Sequence, residues 1–165
     1  MQFSRALKHL FSTRALARAR FPASLEQATS AAIAQAEART SGEIRFVIET
    51  ALDVSDLWAG VTPRGRAEQV FAHLGVWDTE LRNGVLIYVL MADRDVEIVA
   101  DRGAAARISP TEWEAACRLM ESHFREGRFR EGTLAGVQTV GGLLEREFPS
   151  RADDRDELPN QPALL

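Results

Sequence analysis

Glu43, Asn83 and Asp101 carry side-chain oxygens at points where apolar runs begin or end. Two carboxylates, an amide oxygen and nearby backbone carbonyls are the ligand types that Ca²⁺ or Mg²⁺ takes. Arg82 and Arg102 flank the same positions, and guanidinium forks bind phosphate. Asp101 and Arg102 are therefore the candidate catalytic pair if the chain transfers a phosphoryl group. The plainer alternative is that Asp101 pairs with Arg82 or Arg102 and closes a hairpin. A second oxygen-rich set is Asp53, Asp56, Asp93 and Asp95. It too could hold a divalent cation, but Asp93-Arg94 also reads as an ordinary turn, because Asp bonds its own local backbone.

Other chemistries lack their parts. His9, His73 and His123 are scattered, which supports neither a triad nor a zinc site. The single Cys117 excludes an internal disulfide, and its spacing from Trp113, Ala116 and Met120 puts an inert thiol on a buried helix face. There is no Gly-rich phosphate loop and no familiar phosphatase nucleophile motif.

The elements that must position these residues follow from pattern. Glu43–Glu49 alternates as a strand. The run 84–101 reads as two strands folded about Asp93-Arg94, which sets Asn83 and Gly84 beside Asp101, Arg102 and Gly103. Ser24 with Gln27 suggests a capped helix to about Arg39; Thr62-Pro63 starts another, stopped at Gly75. Ser109-Pro110-Thr111-Glu112 combines a capping box with proline at the first helical position. A last helix spans roughly Arg130 to Phe148, with glycines that tertiary packing must compensate. Residues 50–61 read as a loop. Trp113 belongs to the core; Trp58 and Trp77 are expected to pack across helices, or else to form part of a partner surface.

Strand–helix–strand order implies a parallel pair with a right-handed crossover. The expected fold is a three-layer α/β/α sandwich around a small mixed sheet, a parallel pair plus an antiparallel hairpin. Three segments follow: a basic amphipathic helix at 1–21, the domain at 22–149, and a flexible acidic tail at 150–165. The chain's −4 is uneven, because residues 1–20 contain five basic residues and no acid. A nucleic-acid partner is not expected of an acidic domain. The N-terminal helix either packs its apolar stripe on the domain or meets a membrane surface or protein partner through Phe3, Arg5, Leu7, Lys8, Leu10, Phe11 and Arg14. With no secretory signal and no apolar run of bilayer length, the expected place is the cytoplasm, including its membrane periphery.

Asn83-Gly84-Val85-Leu86-Ile87, Ala92-Asp93-Arg94 and Val96 to Gly103 resemble the core signature of TPM domains, in order and spacing. Ser41-Gly42-Glu43-Ile44 and Phe124 to Gly132 resemble that family's other landmarks. The resemblance implies an α/β/α fold, divalent-metal binding in loops near the sheet, and acid phosphatase activity in some members. Many relatives are exported and membrane-anchored; this chain resembles a short bacterial branch without signal or anchor. It also has Arg82 where an Asp is frequent, and Asp-Arg-Gly in place of a Gly-aromatic-Gly. The leading functional expectation is a non-catalytic binding or assembly module at the cytoplasmic face of a membrane or membrane complex. The alternative is a divalent-metal-dependent phosphatase acting on phosphomonoesters.

Overall fold

The computed structural model describes residues 2–152 and 155–165. The basic N-terminal segment folds as two helices, α1 (Gln2–Phe11) and α2 (Arg14–Arg20). They part at Ser12-Thr13, where Thr13 is extended and its hydroxyl accepts the Leu16 amide. A threonine there caps a new helix better than it continues an old one. Helix α3 (Ala23–Glu37) begins earlier than the Ser24 spacing suggests, with Pro22 at its N-cap. Strand β1 (Glu43–Glu49) follows. The expected 50–61 loop contains a short helix, α4 (Val54–Trp58), with Asp53 at its N-cap position. Helix α5 (Pro63–His73) starts as expected, the Thr62 hydroxyl accepting the Gly65 amide at 3.0 Å.

Strands β2 (Gly84–Leu90) and β3 (Asp95–Ala100) form the expected hairpin. Asp101 then caps an unanticipated helix, α6 (Arg102–Arg107). In α7 (Pro110–Arg125), Glu112 accepts the Ser109 amide and closes the capping box. Helix α8 spans Phe129–Glu147, and β4 is Ala163–Leu164.

The sheet order is β3-β2-β1-β4. Glu43 lies opposite Gly84 in the parallel β1–β2 pair, and Val85 opposite Ala100 in the antiparallel β2–β3 pair. Strand β2 is buried along its whole length, as its unbroken apolar run requires of a strand covered on both faces. Ile44, Phe46, Ile48, Val85, Ile87 and Val89 pack under residues of α3, α7 and α8. Val47, Leu86, Tyr88 and Leu90 pack with Ala67 and Val70 of α5. This is the three-layer α/β/α arrangement with its small mixed sheet.

The tail differs from expectation for a clear reason. The described part of the tail does not extend into solvent. Leu158 is buried in the second core, and β4 adds to β1 in parallel, Val47 facing Ala163. Apolar residues at 163–165 complete an edge that β1 would otherwise leave open; Asp153 and Asp154 lie outside the described residues. Gly132, Gly136 and Gly141 of α8 serve its close approach to α7 and α3. A Cβ at Gly136 would lie 2.2 Å from Met120 Sδ of α7, and one at Gly141 2.7 Å from Ala36 Cβ of α3.

Candidate functional site

The amino ends of β1 and β2 bring Glu43, Asn83 and Asp101 to one end of the sheet, as the hairpin register requires. Asp101 donates its amide to Gly84 O at 2.9 Å, and Asn83 donates Nδ2–H to Ser41 O at 2.6 Å. Asp101 Oδ1 accepts the Arg102 amide as a helix cap. Asn83 Oδ1 and Asp101 Oδ2 are buried and have no partner. Arg82 and Arg102 are both exposed here, and Gly103 N–H donates to Arg82 O at 2.8 Å. The catalytic and phosphate-binding candidates are thus neighbours.

Glu43 turns toward a different set. Its Oε2 accepts the Leu158 amide at 3.1 Å, and it is 3 % exposed. Glu37 of α3 accepts the Ile44 amide at 2.9 Å through Oε1, while its Oε2 is buried without a partner. Oxygens of Glu37, Glu43 and Asp156 all lie within 4.8 Å of one another. Asn160 donates to Asp156 at 3.3 Å, and its own Oδ1 is buried without a partner. Burial, more than the neighbouring acids, raises the Glu37 carboxyl to about 8 and the Glu43 carboxyl to about 7. A cavity of about 320 Å³ adjoins them. An all-oxygen donor set with buried, unpartnered oxygens fits a hard divalent cation. Sequence reading missed Glu37 and Asp156. Asp156 lies in a segment that reads as a solvated tail, and no local pattern links it to β1.

At the opposite end, the carboxyl ends of the parallel strands, the four aspartates separate. Asp93 is gripped by α1: Arg5 Nη2 lies 2.7 Å from Oδ2 and His9 Nε2 3.1 Å from Oδ1. The Leu52 amide donates to His9 Nδ1 at 2.9 Å, which leaves the ring's proton on Nε2, pointing at Asp93. Burial alone would raise the Asp93 carboxyl, but the Arg5 and His9 bonds outweigh it and hold it below the usual range. Asp53 stands at the N-cap position of α4 without a side-chain cap bond, Asp56 lies within α4, and Asp95 lines a cavity beside β3. Among the described residues no carboxylate group of metal-binding geometry forms here.

Helix α1 therefore turns its polar pair, Arg5 and His9, inward. Leu7, Leu10 and Phe11 face out, 49 %, 72 % and 70 % exposed. Leu7 and Leu10 line a cleft of about 380 Å³ shared with Val54 and Trp58 of α4. Trp58 is 83 % exposed and Trp77 is 53 % exposed, so neither is buried across the helices, the first of the two expected placements. Lys8, Arg14 and Arg18 are exposed on the same two helices. Of the expected contact residues, Arg5 is committed to Asp93, and the side chain of Phe3 lies outside the described residues.

A mixed four-stranded sheet between helical layers, with oxygen donors at one end and an apolar cleft at the other, defines the class of domain. The chain belongs to the TPM domain family, whose model matches residues 18–143. It is similar to the BA42 protein of the psychrophilic bacterium Bizionia argentinensis, at 36 % identity over 87 % of this chain and 94 % of that one, TM-score 0.73. The fold is also that of an N-terminal domain from P. gingivalis (19 % identity, 76 % and 77 % coverage, TM-score 0.57). It matches likewise the N-terminal domain of the cg2496 protein from Corynebacterium glutamicum (16 %, 80 % and 78 %, TM-score 0.53). No curated protein matches the chain.

Proposed function

We propose that this TPM domain is a non-catalytic docking module that binds an anionic membrane surface through the α1–α4 end. One observation carries the reading: an amphipathic helix clasped to the domain by its polar side, with its apolar side outward beside Trp58. A surface helix of a free-standing protein ordinarily does the reverse. Contiguous exposed apolar surface rimmed by polar groups is characteristic of an interaction site. Lys8 on α1 and Arg14 and Arg18 on α2 are exposed cations, each worth roughly 1 kcal/mol near an anionic leaflet. No helix among the described residues is long and apolar enough to cross a membrane. A membrane-facing Trp suits the same place, its ring apolar and its N–H wet.

Co-sedimentation with vesicles tests this. The protein should pellet with phosphatidylserine-containing vesicles, remain in solution with pure phosphatidylcholine, and be released progressively by salt. Equal partitioning into both vesicle types rejects the anionic surface, and no pelleting with either rejects lipid altogether and leaves a protein partner for the cleft.

The Glu37, Glu43 and Asp156 group favours a second reading, a divalent-metal-dependent phosphomonoesterase. Those carboxylates, with Asn160, would hold Ca²⁺ or Mg²⁺, which would supply charge neutralisation to a phosphate. Arg82 and Arg102 would bind phosphate oxygens, and Asp101 offers a buried, unpartnered carboxylate oxygen nearby. Hydrolysis of p-nitrophenyl phosphate that needs Mg²⁺ and is lost in Glu43→Gln and Asp101→Ala supports it. No turnover with either ion removes it for that substrate class.

A further inference from the structure

Strand β3 is the outer strand of the sheet, and its free edge opens into a cavity of about 570 Å³ bounded by α7. Asp101 N–H bonds Gly84 O at the hairpin's end, so every second residue from there pairs inward. Val96 and Ile98 consequently turn their amide groups outward. Side chains occupy those groups in place of a strand. Glu121 accepts the Val96 amide at 3.4 Å, and Arg64 donates to Ile98 O at 2.6 Å. The first bond is long, and the Arg64 side chain is 48 % exposed.

The walls of the cavity state what would fit. Val96 and Ile98 point to the α7 side, toward Trp113 and Cys117. Trp113 is 8 % exposed, lines the cavity, and its indole N–H has no partner. Asp95 and Glu97 point to the other face. Asp95 Oδ1 is buried and also unpartnered. Four carboxylates line the cavity: Glu97, Glu114 and Glu121 pair with Arg64, Arg118 and Arg125, and among the described residues Asp95 has no such arginine. Burial first, then the charges of Glu97 and Glu121, lift the Asp95 carboxyl to about 6.

We propose that the β3 edge binds an extended peptide segment in which basic and apolar residues alternate, added to the sheet as a fifth strand. Its backbone takes over the Val96 and Ile98 groups from Glu121 and Arg64. Its apolar side chains enter beside Trp113, and its basic side chains meet Asp95 and Glu97. Backbone pairing supplies affinity and alternate pockets supply selectivity, as in other strand-addition sites. This surface is separate from the α1–α4 cleft and does not depend on membrane binding.

An amide NMR titration of the whole chain with acetyl-Lys-Val-Lys-Val-Lys-Val-amide tests the proposal. Saturable shifts should appear at the Val96 and Ile98 amides and at the Trp113 indole N–H. The double variant Asp95→Asn/Glu97→Gln should weaken binding about tenfold with the rest of the spectrum unchanged. The matching glutamate peptide, and a lysine peptide N-methylated at alternate amides, should not bind. Equal affinity for the N-methylated peptide would mean charge attraction alone and would overturn strand addition. Shifts absent at millimolar peptide, or confined to another face, would also overturn it. Concentration-dependent shifts at Val96 and Ile98 without peptide would give the edge to a second copy of the chain instead.

Discussion

Glu37 and Glu43 hold protons that the unfolded chain releases. Their carboxyls stand at about 8 and about 7 against an ordinary 4.5. Between those values the folded state binds more protons than the unfolded state, so stability falls as pH rises through that window and levels off above about 8. Urea midpoints should therefore drop from pH 5 to pH 8.5, and Glu37→Gln/Glu43→Gln should flatten the decline. Millimolar Ca²⁺ should raise the midpoint at pH 8.5 and leave it unchanged at pH 5, because a cation needs the ionised carboxylates. Asp93 behaves oppositely, since Arg5 and His9 hold its carboxyl below the usual range. Its contribution is present above the ordinary carboxylate range and is lost as pH falls through the lowered value. Asp93→Asn should cost about 2 kcal/mol, by leaving the part-buried Arg5 without its anion. Hydrogen exchange should place the loss in α1.

At the scale of elements, α8 is the clearest test of close packing. Gly141→Ala sets a Cβ against Ala36, a short side chain that cannot turn away. The variant should lose about 1–3 kcal/mol to overpacking, offset by up to about 1 kcal/mol of helix propensity. Nothing lies within 4 Å of a Cβ at Gly142, so Gly142→Ala should gain about 0.5–1 kcal/mol. Thermal melts of the two variants, moving in opposite directions, check this. Elements with strong local signals were readable beforehand. The unbroken apolar run of β2 and the Thr62-Pro63 and Ser109-Pro110 starts are of that kind. Helix α6 was not, because Arg-Gly-Ala-Ala-Ala-Arg has no apolar period and opens with a helix-weakening glycine. Strand β4 has only two residues and exists because β1 has an open edge. The grouping of Glu43, Asn83 and Asp101 at one end was legible through the hairpin register. The Glu37–Glu43–Asp156 group was not, since Leu158, which brings it together, bonds Glu43 across 115 positions.

The whole molecule has two unlike ends. The amino ends of the parallel strands gather buried oxygens, and the carboxyl ends carry the clasped helix α1 and its outward apolar residues. In open α/β sheets ligands favour the carboxyl ends; here α1 covers that end and presents its own apolar face to the outside. Leu10→Ser/Phe11→Ser/Trp58→Ser should keep the fold, because each side chain is more than half exposed, and should abolish pelleting with anionic vesicles. A membrane-bound α1 must keep the Asp93 clasp, so Asp93→Asn should weaken binding less than the triple variant does.

The most direct measurement is quenching of tryptophan emission by vesicles of phosphatidylserine with brominated acyl chains. Trp58 is 83 % exposed and Trp113 only 8 %, so a new apolar environment is reported mainly by Trp58. A blue shift and quenching in the wild type and in Trp77→Phe, both lost in Trp58→Phe, is the predicted result. Unchanged emission on vesicles that leave the protein in solution, or quenching that persists in Trp58→Phe, would contradict membrane docking through the α1–α4 end.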